Sequence, residues 1–111
     1  MSLEPRCKEN KTDFYFNADT NFDVIYGRHS QAEIRYRIDE QKPITEYWSE
    51  STDGKAAFSD TAINTLRKMA DAESILIEFT PHNASPVTAK FDIHGLRPLL
   101  QKIAETCNWK L

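Results

Sequence analysis

Only three glycines occur in the 111 residues, Gly27, Gly54 and Gly95. They stand too far apart to build a glycine-rich phosphate loop, and no alternating βαβ pattern surrounds them, which argues against a nucleotide-binding fold. Apolar runs are short. The longest, within Ser74-Ile75-Leu76-Ile77, stops at Glu78, far from the roughly 20 residues a membrane-spanning helix needs. Positive charge is not in excess either: 14 Lys and Arg against 17 Asp and Glu leave a net charge of −3. Such a chain has no global field to gather nucleic acid or anionic lipid.

Catalytic signatures are equally sparse. The three histidines, His29, His82 and His94, pair with no other His or Cys at zinc-site spacing, and neither HExxH nor CxxC occurs, so no metal and no cofactor is expected. His82 reads as the solvated tip of a Pro-bounded loop, and His94, before Gly95, as a residue of local structure. Ser49, Ser51 and Thr52 beside Asp53 have turn composition, and no GxSxG elbow is present. Asp39, Glu40, Glu46 and Glu50 are expected on outward or turn positions, a solvated face rather than a pair of glycosidase carboxylates. A Cys nucleophile needs a base and a partly exposed, electropositive setting; Cys107 is expected on an apolar helix face, and Cys7, beside Arg6 and Lys8, lies near a terminus. The expectation is therefore a protein that is not an enzyme.

What is present is one domain's worth of ordinary globular composition, 40% hydrophobic and 28% charged. Residues 1–6 are expected to be a disordered start or a vector-derived remnant, and 7–111 a single α+β domain. Met1 to Pro5 has neither the basic start nor the apolar stretch of a signal peptide. That fits a cytosolic protein, or a trimmed mature domain behind a vector-derived Met-Ser-Leu. The two cysteines, near opposite ends, fit either unrelated buried thiols or a bridge closing most of the chain. Such a bridge is worth roughly 4–5 kcal/mol on loop entropy alone.

Hydrophobic periodicity divides the domain. Short strands are expected at Asp13–Phe16 and Phe22–Tyr26. The clearest strand is Ala32–Ile38, where Ile34, Tyr36 and Ile38 alternate with Glu33, Arg35 and Arg37. After a turn at Asp39–Pro43, Ile44–Ser49 returns with Trp48 inward, followed by a Ser51–Gly54 turn and a short strand at Ala56–Phe58. A helix capped by Ser59 or Asp60 runs from Thr61 to Ala70, with Ile63, Leu66, Met69 and Ala70 on one face. Ser74–Thr80 and Val87–Ile93 form a hairpin around Pro81–Pro86, with Ile75, Ile77, Phe91 and Ile93 buried. A second helix from about Gly95 buries Leu96, Leu99, Leu100, Ile103, Ala104 and Cys107. The result is an antiparallel sheet with two α-helices packed on it. Tyr26, Arg28, Arg35 and Arg37 make a basic, aromatic patch partly offset by Glu33, Asp39 and Glu40. It reads as an exposed strand face or as a protein-binding surface. Asn10 and Asn83 head two weak glycosylation sequons.

Several phrases stand together in one order: Arg6-Cys7-Lys8-Glu9-Asn10, Ile34 to Asp39, Trp48 to Gly54, Phe79 to Ile93, Gly95-Leu96 and Cys107-Asn108-Trp109. In this order they resemble type VI secretion-associated accessory proteins of the VasI/TagO kind, whose members end in a similar Phe-Asp-x-x-Gly-Leu helix and Cys-x-Trp. The resemblance covers Cys7 to Trp109, although His82 stands where an aromatic is more usual. It implies a Gram-negative source, export to the cell envelope and a Cys7–Cys107 disulfide, and it carries no enzyme activity onto particular residues. The expectation is a periplasmic accessory module binding an envelope or secretion-system protein, or cell-wall material. The alternative is a small envelope hydrolase acting on cell-wall material.

Overall fold

The computed structural model, which describes residues 1–25 and 30–111, runs β1 (Ser2–Lys8), β2 (Lys11–Asn17), β3 (Val24–Ile25), β4 (Gln31–Ile38), β5 (Ile44–Glu50), β6 (Ala56–Phe58), α1 (Ala62–Met69), β7 (Ser74–Phe79), β8 (Val87–Asp92) and α2 (Arg97–Thr106). The strands form one antiparallel sheet in the order β1-β2-β6-β5-β4-β7-β8, and β3 pairs with the start of β4 off this path. Its α+β class, with two helices packed on the sheet, is the one the periodicity predicts.

Residues 1–6 are not disordered. From Ser2↔Asn17 to Lys8↔Lys11, β1 pairs with β2 without a break. The hairpin turns on Glu9 and Asn10, both with positive φ (53° and 61°), as a two-residue turn matched to strand twist requires. Half-buried Leu3, Pro5 and Cys7 alternate with Glu4, Arg6 and Lys8. Pro5 obscures the strand in the sequence, yet it costs no ladder bond. The carbonyl of its partner Phe14 accepts from Ser59 N–H (2.9 Å), so Pro5 turns its backbone to the free edge, where a missing donor is harmless.

Inside the sheet the alternation holds. On β4, Ala32, Ile34, Tyr36 and Ile38 are buried; across the sheet the buried set continues with Phe14, Phe16, Ala57, Trp48, Ile75, Ile77 and Phe79. β2 and β8 are five strand steps apart, about 24 Å in a flat sheet. Yet the Phe16 and Phe91 rings lie 6.1 Å apart. The sheet is therefore strongly curled, with the core on its concave face. There α1 packs on β2 and α2 on β1.

Four local expectations need correction. The N-cap of α1 is Thr61, with no side-chain capping bond; the Ser59 hydroxyl instead accepts the Thr61 N–H (3.1 Å) in the entering turn. Ile63 is half-buried, and Thr65 takes the buried position. On α2, Leu96 is half-buried and Leu99 is 49% exposed, because the helix sits at the rim and buries only a narrow stripe of Leu100, Ile103 and Ala104. Phe91 is half-buried rather than buried, since among the described residues no strand pairs with β8 beyond β7.

Candidate functional site

Cys7 and Cys107 are joined as a disulfide, with Cα atoms 5.9 Å apart. Local chemistry puts Cys107 there. Asn108 adopts positive φ (61°) just past α2, and Trp109 N–H reaches back to the Ala104 carbonyl (2.9 Å), closing a Schellman turn. That turn aims the C-terminal segment at the β1–β2 hairpin. Asn108 Nδ2 donates to Asn10 Oδ1 (2.9 Å) and Trp109 Nε1 to Thr12 Oγ1 (2.7 Å). Arg67 of α1 lies over the Trp109 ring (5.6 Å) and donates twice to the Lys110 carbonyl. The Cys-Asn-Trp ending is thus a clasp holding together β1, α1 and α2.

Arg35 and Arg37 share the convex face of the sheet. Arg35 faces Thr45 on one side and Glu78 on the other, and Arg37 faces Leu76. Arg35, Arg37, Leu76 and Glu78, with Pro43 and Thr88, line a shallow depression of about 270 Å³. The two arginines differ. Arg37 is tied to its own turn, donating to the Gln41 carbonyl (3.1 Å) and the Glu40 carboxylate (2.8 Å). Arg35 is exposed and belongs to none of the ion pairs among the described residues. Tyr26 and Arg28, the other two members of the expected patch, lie outside the described residues, as does His29. Leu76 and Thr88 were not singled out in the sequence. Leu76 carried a signal, an apolar residue at the outward phase of a strand whose inward positions are Ile75 and Ile77.

The other candidate groups are engaged locally. The Ser51 hydroxyl donates to Asp53 (2.7 Å) and accepts the Ala56 N–H (3.0 Å), and the Ser51 hydroxyl with the Lys55 N–H holds the Asp53 carboxyl below its usual range. Ser49 donates to Asp60 (3.0 Å). Asp39 accepts the N–H groups of Glu73 and Ser74 (2.9 and 3.0 Å), pinning the β4–β5 turn to the start of β7. Glu46 is not outward as expected. It shares the inward phase of β5 with Trp48 and accepts from Trp48 Nε1 (2.9 Å) and the Tyr36 hydroxyl (3.3 Å). A buried indole and phenol need an acceptor, and strand alternation supplies it there. Burial, then the Glu46 charge, pushes the Tyr36 phenol up to about 12. His82 and His94 are exposed. Among the described residues no group of three or more His, Cys, Asp or Glu could hold a metal, and no helix is long and apolar enough to cross a membrane.

Searches among curated proteins and solved structures return no match. The profile of one protein family, type VI secretion system VasI/EvfG, matches residues 5–109, from the middle of β1 to the tryptophan of the clasp. The chain belongs to the VasI family of type VI secretion-associated proteins.

Proposed function

We propose that this VasI-family chain is a non-enzymatic accessory module of the periplasm or cell envelope that binds a secretion-system protein through the convex face of its sheet. The observation that carries the reading is Arg35, an exposed guanidinium without an ion pair among the described residues, beside Leu76 and Pro43 in a shallow depression. Exposed arginine next to apolar surface is the composition of binding hot spots. The Cys7–Cys107 bridge supports an oxidising compartment, where such bonds persist. The absence of catalysis is supported by how the hydroxyls are used, Ser49 on Asp60 and Ser51 on Asp53.

Tagged protein incubated with a Gram-negative envelope fraction tests this reading. Wild type should retain a secretion-system protein, and Arg35→Glu should retain about tenfold less, the scale of a lost interfacial charge contact, with an unchanged melting temperature. Equal retention by the variant, or retention of cell-wall fragments alone, would count against it.

A further inference from the structure

The two ends of the sheet are built differently. At one end Pro5 removes the central donor from the free edge of β1, and the disulfide ties that strand to α2. Both features blunt an edge against strand pairing. At the other end β8 has six unbroken pairs with β7 and no proline. Ile93 N–H donates to the Glu73 carbonyl (2.9 Å), so the odd-numbered residues of β8 turn their backbone groups to β7. By alternation, Thr88, Lys90 and Asp92 present theirs to the open edge, where no strand pairs with them among the described residues.

Beside this edge lies a groove of about 310 Å³, whose apolar lining is Leu3, Pro5, Phe91, Ile93, Leu96 and the half-exposed Leu99, with Asp92, His94 and Gly95 at its rim. On the convex side Lys90 stands across Leu76 from Arg37, two cations in one cross-strand row. Arg35 occupies the next row, opposite Glu78. Asp92 is the one acid presented at the edge, and its Oδ1 already accepts the His94 N–H (3.0 Å).

We propose that β8 is a strand-addition site for an extended segment of a partner protein, with apolar side chains at alternate positions and an acidic residue opposite Lys90. Main-chain bonds to Thr88, Lys90 and Asp92 supply the pairing. The apolar set enters the groove toward Leu96 and Leu99, and the acid meets the Lys90–Arg37 row. This is β-augmentation, in which backbone bonds give affinity and alternate side chains give specificity. It rests on the partner-binding reading above and names the docking mode.

The test uses purified disulfide-bonded protein and blocked peptides of about seven residues, the length of an ordinary strand, alternating valine and threonine with a central glutamate or a central lysine. The glutamate peptide should slow amide exchange at Thr88, Lys90 and Asp92 and bind about tenfold tighter than the lysine peptide. Lys90→Glu should reverse that preference. Thr88→Pro removes an outward N–H and no bond to β7, so it should keep the melting temperature and lose the peptide. The proposal is overturned if neither peptide protects β8, if both bind Lys90→Glu as they bind wild type, or if a folded Thr88→Pro variant binds normally. It is also overturned if β8 amides are protected in concentrated protein without peptide, which would make a second copy of this chain the occupant. None of these outcomes depends on the Arg35 pull-down, so the two readings fail separately.

Discussion

At Gly54 one backbone conformation sets the order of the Ser51–Gly54 turn. Its φ is +73°, and a Cβ there would stand 2.8 Å from Asn21 Nδ2. Its carbonyl also accepts the Phe22 N–H (3.3 Å), so the turn holds the segment leading to β3. Gly54→Ala should cost about 1–3 kcal/mol, the scale of a strained left-handed residue, read as a lower urea midpoint at unchanged slope. Tyr36 gives a second residue-scale outcome. The unfolded phenol ionises near 10.0 and the folded one near about 12. Below the first value it is neutral in both states and adds no pH dependence. Between the two values unfolding releases a proton, so stability falls as pH rises through that window. Denaturation midpoints from pH 9 to 11.5 should drop more steeply for wild type than for Tyr36→Phe; parallel curves would remove Tyr36 as the cause.

Among the elements, β1 is tied covalently to the far end of the sequence. Among the described residues it pairs only with β2 and gains the disulfide, and the hairpin it forms also carries the Asn10–Asn108 and Thr12–Trp109 bonds. Cys7→Ser with Cys107→Ser should lower stability by about 2–5 kcal/mol, the usual cost of losing a bridge over a long loop. Hydrogen exchange should rise first in β1 and at residues 107–111, while β4 and β7, each paired on both sides, stay protected longest. Uniform loss of protection would show that the clasp is not a separate tether. In unreduced, unfolded protein, thiol labelling should find no reactive cysteine.

For the whole molecule, the two tryptophans report on opposite regions. Trp48 is fully buried beside Phe14 (5.7 Å between ring centres), and Trp109 sits in the clasp. A single core running from β2 to β8 predicts one cooperative transition. Trp48→Phe and Trp109→Phe variants, each reporting through the remaining tryptophan, should therefore give coincident urea curves when oxidised. After reduction the Trp109 signal should be lost at lower urea than the Trp48 signal. Separated curves in the oxidised protein would instead divide the chain into two units.

Strand and helix positions were legible where burial is one-sided, because alternation on β4 or an i, i+3, i+4 stripe on α2 is written in consecutive residues. Trp48 inward, the Ser74–Ile93 hairpin and the α+β class follow from that local code. The code fails where two purposes share a position. Pro5 hides β1, since an edge proline and a strand-breaking proline look the same in one dimension. Glu46 reads as a surface acid, although a buried indole and phenol require it inward. Half of the candidate surface, Arg35 and Arg37, was readable as the polar phase of one strand. Leu76, Thr88 and Lys90 joined it only when β7 and β8 were laid beside β4. The Cys7–Cys107 pairing was implied by the family resemblance, but the curl that brings Phe91 to Phe16, the blunt and open edges, and the seating of Asn108 and Trp109 on Asn10 and Thr12 belong to tertiary structure alone, because each depends on strand order, and strand order is decided by which apolar faces share one core.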